Sequence, residues 1–210
     1  MPVWFRKTLI VCPHFDDEVI SCGGIIARLS ELGHDVSVLV MCEHRKPVEP
    51  LIAQCHRAMN LLGVSADQVV HSNMPHHRNK VLVLDQDLLN FQPTAVLIPY
   101  PSHHQDHQML YDVCCSALRP RPDLLVEFVG MYEYPYADAW PNRIPEHRMV
   151  VSIHDQLMRK TSAMRCYDKL DRLPENHPVS VKNVVDFAKR RGQEVGASYG
   201  EAIYPLRCLV

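Results

Sequence analysis

No stretch of the sequence approaches the roughly 20 consecutive apolar residues of a membrane-spanning helix, so none is expected. The N-terminal Met1-Pro-Val-Trp-Phe-Arg-Lys7 lacks the long apolar core and small-residue cleavage site of a secretory signal, and no signal peptide is expected. The eight cysteines form no C-x-x-C pair, which argues against a cysteine-rich structural zinc site. They read instead as reduced, mostly buried thiols of a cytoplasmic protein. Neither sign of charge dominates: 22 basic against 24 acidic residues leave a net charge of −2. There is no global field to attract nucleic acid, and neither nucleic acid nor membrane is expected as a partner. The chain also lacks internal repeats, low-complexity tracts and linkers. At about 150 residues per domain, its 210 residues imply a single domain spanning 1–210.

What remains is ordinary globular composition, 47% hydrophobic and 22% charged. A domain of this size buries roughly 70% of its unfolded surface. Short apolar runs alternate with segments of helical periodicity. Thr8–Cys12, Asp35–Met41, Gln68–His71 and Thr94–Pro99 read as strands. Glu18–Leu32, Pro50–Leu62, Lys80–Phe91 and His107–Leu118 read as the helices between and after them. The second half is less regular, with strands expected over Leu124–Met131 and Arg148–Ile153 and helices over Asp155–Tyr167 and Val181–Arg191. This order predicts an α/β fold: a Rossmann-like parallel sheet, mixed at its edge, with helices on both faces. The turn after the first strand reads Cys12-Pro-His-Phe-Asp-Asp-Glu18. It has no G-x-G-x-x-G cradle, and its three carboxylates disfavour phosphate and suit a cation.

Histidine is over-represented, at 13 residues. In open α/β sheets ligands bind beyond the carboxyl ends of the strands, at a topological switch point. Two polar clusters fall at such ends: His14-Phe-Asp16-Asp17-Glu18 after the first strand, and His103-His104-Gln-Asp106-His107 after the fourth. Taken separately, the first could cap a helix and the second could be a solvated turn. Taken together, on one rim, they favour a divalent metal site. His14 and Asp17 are three apart, as are His104 and His107, so the members of each pair can converge. Three protein ligands with open positions is the catalytic zinc pattern. His14, Asp17 and His107 are the candidate ligands, and Asp16 and His104 stand beside the metal for proton transfer. One Zn2+ per chain fits this set, although Fe2+ or another divalent ion also uses such ligands.

Pro13-His14-Phe15-Asp16-Asp17-Glu18 resembles the A/P-H-P-D-D-E signature of the LmbE-like (PIG-L) zinc-dependent de-N-acetylases. His104-Gln105-Asp106-His107 is similar to that family's H-x-D-H motif, and Gly23-Gly24, Leu62-Gly63-Val64 and Gly196-Ala-Ser-Tyr-Gly-Glu-Ala202 also look like family segments. The resemblance implies a Rossmann-like fold and hydrolysis of an N-acetyl group, usually from an N-acetylglucosamine unit. It implies His14, Asp17 and His107 as metal ligands and Asp16 as general base. His104 would stabilise the oxyanion and protonate the leaving amine, with Asp106 orienting His104. Departures are Phe15 in place of the signature proline, and Leu51 and Gln54 where members acting on small glycosides often carry R-x-x-E. Ser102 stands where some members have tyrosine.

Substrate contacts therefore have to come from other residues. Tyr132, Tyr134, Tyr136 and Trp140 crowd four aromatics into nine residues and suit stacking on a sugar. His76 and Arg78 in a loop after the third strand, and His103 beside the second motif, are further candidates for the rim. The expected partner is an acetylated small molecule, and the sequence is compatible with a homo-oligomer. The alternatives are a deacetylase or amidase acting on a non-sugar, nucleoside or secondary-metabolite amide, and a non-catalytic zinc-binding module on the same fold.

Overall fold

The apolar runs read from the sequence become strands of one sheet. The computed structural model describes residues 1–42, 47–72, 77–135 and 147–209, with the side chains of residues 77 and 78 left aside. β1 (Lys7–Cys12), β2 (Asp35–Val40), β3 (Val69–His71), β4 (Ala95–Pro99), β5 (Phe128–Tyr132), β6 (Met149–Ser152) and β7 (Gly200–Cys208) align in the order β3-β2-β1-β4-β5-β7-β6. The first five strands in chain order pair in parallel. β7 runs antiparallel to both β5 and β6, which makes the sheet mixed towards one edge. The chain winds outward from β1 to β3 and then returns to lay β4 on the other side of β1. The switch point therefore lies between β1 and β4, where a crevice is expected.

The helices are α1 (Asp17–Glu31), α2 (Glu49–Leu62), α3 (His77–Phe91), α4 (Gln105–Ala117), α5 (Leu157–Met164), α6 (Asp168–Asp171) and α7 (Val181–Gln193). α1 packs on α2 and α5, and α3 packs on α4. Strands β1 and β4 are sandwiched: Leu9 to Cys12 and Ala95 to Ile98 are all at most 2% exposed. That explains why these strands read as continuous apolar runs without alternation. Among the described residues, no helix is long and apolar enough to cross a membrane.

Three elements depart from the expectation, the first being the strand expected from Leu124, which begins only at Phe128. The helix expected to reach Tyr167 ends at Met164, and a separate turn, α6, follows it. The long strand β7 was not foreseen, because Pro205 interrupts its pattern. The structure accommodates that proline at a register shift in β5, between Val129 and Gly130, with Gly130 opposite Pro205. β6 pairs only with Gly200 to Ile203, so no β6 partner is lost.

The paired glycines of α1 permit a close approach. A Cβ on Gly24 would lie 2.6 Å from Ile153 Cγ2, and one on Gly23 would lie 3.0 Å from Lys160 Cγ. Through this gap the α1 backbone meets a buried ion pair. Lys160 Nζ donates to Ile20 O at 2.7 Å and to Glu201 at 2.5 Å, while the Glu201 carboxylate accepts from the N–H of Gly24 and Ile25. Ile153 is fully buried and cannot yield. Gly24→Ala is therefore expected to destabilise the fold by about 1–2 kcal/mol, overpacking outweighing the helical preference of alanine. Urea unfolding measures this, and an unchanged midpoint would show that the contact is soft.

Candidate metal and catalytic site

The two motif clusters meet at the carboxyl ends of β1 and β4. After Cys12 the chain turns through Pro13 to Asp16 and enters α1 at Asp17. Asp16 holds φ at +105°, a left-handed conformation that Asp tolerates better than most residues. It occupies the N-cap position, but its side chain does not cap the helix. Its N–H instead donates to Glu18 Oε2 at 3.0 Å. Glu18 is fully buried, accepts from the Tyr167 hydroxyl and lies 3.8 Å from Cys55 Sγ. Burial pushes its carboxyl up to about 8. With no side-chain bond from Asp16 to the helix N–H groups, simple helix capping does not account for the turn.

Asp17, 1% exposed, is the hub. Its Oδ2 accepts from His14 N–H at 3.0 Å, and it lies 3.3 Å from His14 Nδ1 and 3.4 Å from His107 Nε2. His107 sits in the first turn of α4, and His104 is the residue before that helix. His14, His104 and His107 each place a ring nitrogen so that the three lie within 4.8 Å of one another. The structure thus brings the three candidate ligands together and adds His104 to the cluster. His107 Nε2 is the ring nitrogen that faces Asp17, while its Nδ1 is buried on the other side of the ring and makes no hydrogen bond among the described residues. Imidazole nitrogens beside a carboxylate are a donor set suited to zinc.

Electrostatics separates the two aspartates. Burial opposes ionisation of Asp17, but His107 and His14 outweigh it and hold its carboxyl well below the usual range. Burial, followed by the neighbouring Asp17 charge, pushes Asp16 up to about 7, against the pull of Lys169. For His14, burial disfavours the cation, yet Asp17 and Asp106 outweigh it and raise the imidazole to about 9. Burial lowers His104, and His107 and His14 add to the effect. Adjacent carboxylates driven apart in this way are a common mark of divided chemical roles.

A cavity of about 550 Å3 opens beside the cluster, lined by His14, Phe15, Asp16, Leu51, Gln54, His104, Tyr167 and Lys169. Leu51 and Gln54 thus occupy its wall, as their place before Leu62-Gly63 suggested. Asp106 sets Oδ2 2.8 Å from His14 Nε2, so its hydrogen bond goes to His14 rather than to His104. Tyr132 corrects an expectation: it is fully buried, with its hydroxyl donating to Val11 O at 3.1 Å, and cannot stack on a ligand. Both faces of β5 are covered, so its aromatics turn into the core. Tyr134, 8% exposed, packs edge-on behind His107 with ring centroids 5.0 Å apart. His103 is exposed and borders a neighbouring cavity with Ser102, Gln105 and Asp112. His76, Tyr136, Trp140 and the side chain of Arg78 lie outside the described residues. Tyr167 and Lys169 were missed, since nothing local in the sequence ties them to a turn so far upstream.

Comparison with known proteins matches the same regions. The family model of the GlcNAc-PI de-N-acetylases, PIG-L, matches residues 9–118. A protein of Escherichia coli (strain K12) described as the uncharacterized deacetylase YaiS is 27% identical over 154 residues, 67% of this chain and 80% of that one. Among solved structures, the N,N'-diacetylchitobiose deacetylase of Pyrococcus horikoshii superposes with a TM-score of 0.74 at 20% identity, covering 96% of this chain and 84% of that one. GalB, the 4-carboxy-2-hydroxymuconate hydratase of Pseudomonas putida KT2440, superposes with a TM-score of 0.75 at 18% identity, covering 97% and 98%. At such identities these two likenesses concern the fold alone, and one fold carries both activities.

Proposed function

Since the chain belongs to the GlcNAc-PI de-N-acetylase (PIG-L) family, we propose that it hydrolyses the N-acetyl amide of an acetylated amino-sugar compound, with zinc held by His14, Asp17 and His107. The observation that carries this reading is the convergence of two histidine rings on Asp17 Oδ2, with a third, His104, close by, beside a cavity. A divalent ion bound there supplies a Lewis acid that polarises the amide carbonyl and acidifies water.

The protein's own groups do the rest. Asp16 lines the cavity one residue from the metal hub and takes the proton of the attacking water at its carboxylate. His104, exposed on the same wall, donates to the oxyanion of the tetrahedral intermediate and gives a proton to the leaving amine, and the proton that Asp16 took from water restores His104 through solvent in the cavity. Asp106 holds the histidine cluster in place, here through His14. Leu51 and Gln54 on the cavity wall favour keeping non-sugar amides as a second class of substrate. All eight cysteines are free and five are buried, consistent with work in a reducing compartment such as the cytoplasm.

Acetate release from a panel of N-acetylated amino sugars, nucleosides and thiol conjugates tests the reading, with the protein loaded with zinc or stripped by chelator. Turnover is expected with the amino sugars and only when metal is present. Turnover of non-sugar amides alone would shift the substrate class. Zinc binding without turnover of any panel member would favour a binding module.

A further inference from the structure

Asp16 is gripped by a segment far from it in sequence. Among the described residues, its carboxylate has one hydrogen-bond partner, Lys169 Nζ, 3.3 Å from Oδ2. Its other oxygen makes no hydrogen bond among the described residues. Lys169 belongs to α6, and the three residues from Tyr167 to Lys169 each hold a different part of the site. The Tyr167 hydroxyl donates to Glu18. The Asp168 N–H donates to Gln54 Oε1 at 3.1 Å, tying the segment to α2. Lys169 reaches Asp16. Tyr167 and Leu170 are each 1% exposed, so the base of this clamp is pinned in the core. The Lys169 side chain itself is 71% exposed and lies along the cavity.

An ion pair exposed on one side adds little to fold stability, about 0–1 kcal/mol. Its geometric effect is larger. Asp16 and Asp17 are adjacent, buried and alike in charge, so on that side Asp16 meets repulsion from Asp17 that His14 only partly offsets. Lys169 holds the carboxylate by one oxygen, Oδ2, and leaves Oδ1 without a hydrogen bond among the described residues, in a residue that lines the cavity. We propose that Lys169 is a positioning residue that aims the Asp16 carboxylate at the attacking water. The proposal rests on Asp16 being the proton acceptor. None of residues 167–169 falls in the stretch matched by the family model, so this part of the site is supplied by the less regular half of the chain.

The test uses the full chain loaded with zinc and the variants Lys169→Met and Lys169→Arg, assayed on N-acetylglucosamine and N,N'-diacetylchitobiose. Lys169→Met is expected to lower kcat by about 10–100-fold, the usual cost of losing a group that orients a reacting one. KM, zinc content and Tm should stay close to wild type, and Lys169→Arg should recover most of kcat. A crystal structure of Lys169→Met is expected to show the Asp16 carboxylate rotated or without a fixed rotamer. An unchanged kcat, or a raised KM with kcat intact, overturns the proposal, the latter by making Lys169 a substrate contact. So does an Asp16 carboxylate that keeps its place in the variant crystal. If wild type turns over neither probe, the deacetylase reading fails on those sugars, and the crystal structure still decides the role of Lys169.

Discussion

Asp16→Asn is expected to lower kcat for amide hydrolysis by about 10²–10⁴-fold, with bound zinc retained. Asparagine keeps the shape of the side chain and tolerates the +105° φ nearly as well as aspartate, so the turn should survive. What is lost is the proton acceptor. The amide oxygen of asparagine can still accept a hydrogen bond from Lys169 and from water, so binding should change little, and the loss should fall on kcat rather than KM. Zinc is not held by Asp16 in this reading, because Asp17 is the hub on which the His14 and His107 rings converge. Steady-state kinetics and metal analysis of the same sample separate the two roles. Full activity in Asp16→Asn would remove Asp16 as the base, and loss of zinc would move it into the ligand set.

His107→Ala should abolish activity by a different route, through loss of the metal. The ring is 3% exposed, and its Nδ1 makes no hydrogen bond among the described residues. Deleting it therefore breaks little within the fold itself, and the zinc-stripped variant should lie within about 1–3 kcal/mol of zinc-stripped wild type. With zinc present the two should diverge. A ligand at a thousandfold excess over its Kd stabilises the fold by about 4 kcal/mol, and this increment should vanish with His107. Thermal melts with and without zinc, beside metal analysis, read it directly. A zinc-dependent rise in Tm that persists in His107→Ala would show that His14, Asp17 and His104 suffice to hold the ion.

The proposed ligands stand out in the sequence because they arrive as two compact clusters, each just after a strand whose apolar run is unmistakable. His14 and Asp17 share one turn and His107 opens one helix, so local spacing carried the geometry. Only the adjacency of β1 and β4 had to be inferred, from the rules of parallel sheets. Lys169 had no such trace: it lies 153 residues from Asp16 and reads as an ordinary surface lysine. The aromatic cluster misled for the opposite reason. Tyr132 looks like a recognition residue in one dimension, but β5 is covered on both faces and its hydroxyl is used up on Val11. Asp106 shows how a motif carboxylate can be singled out while its partner is not, since its hydrogen bond goes to His14 across 92 residues rather than to nearby His104.

The Lys160–Glu201 pair also bears on the order in which the molecule is made. Glu201 meets the Gly24 N–H across 177 residues of chain, and β7 leaves the ribosome after every other strand of the sheet. The helix that begins with Asp17 therefore gains this anchor only in a late, long-range step, of the kind that slows folding. Until then, both motif turns are already synthesised on a domain whose central helix is not yet locked, and the site they form has no fixed frame.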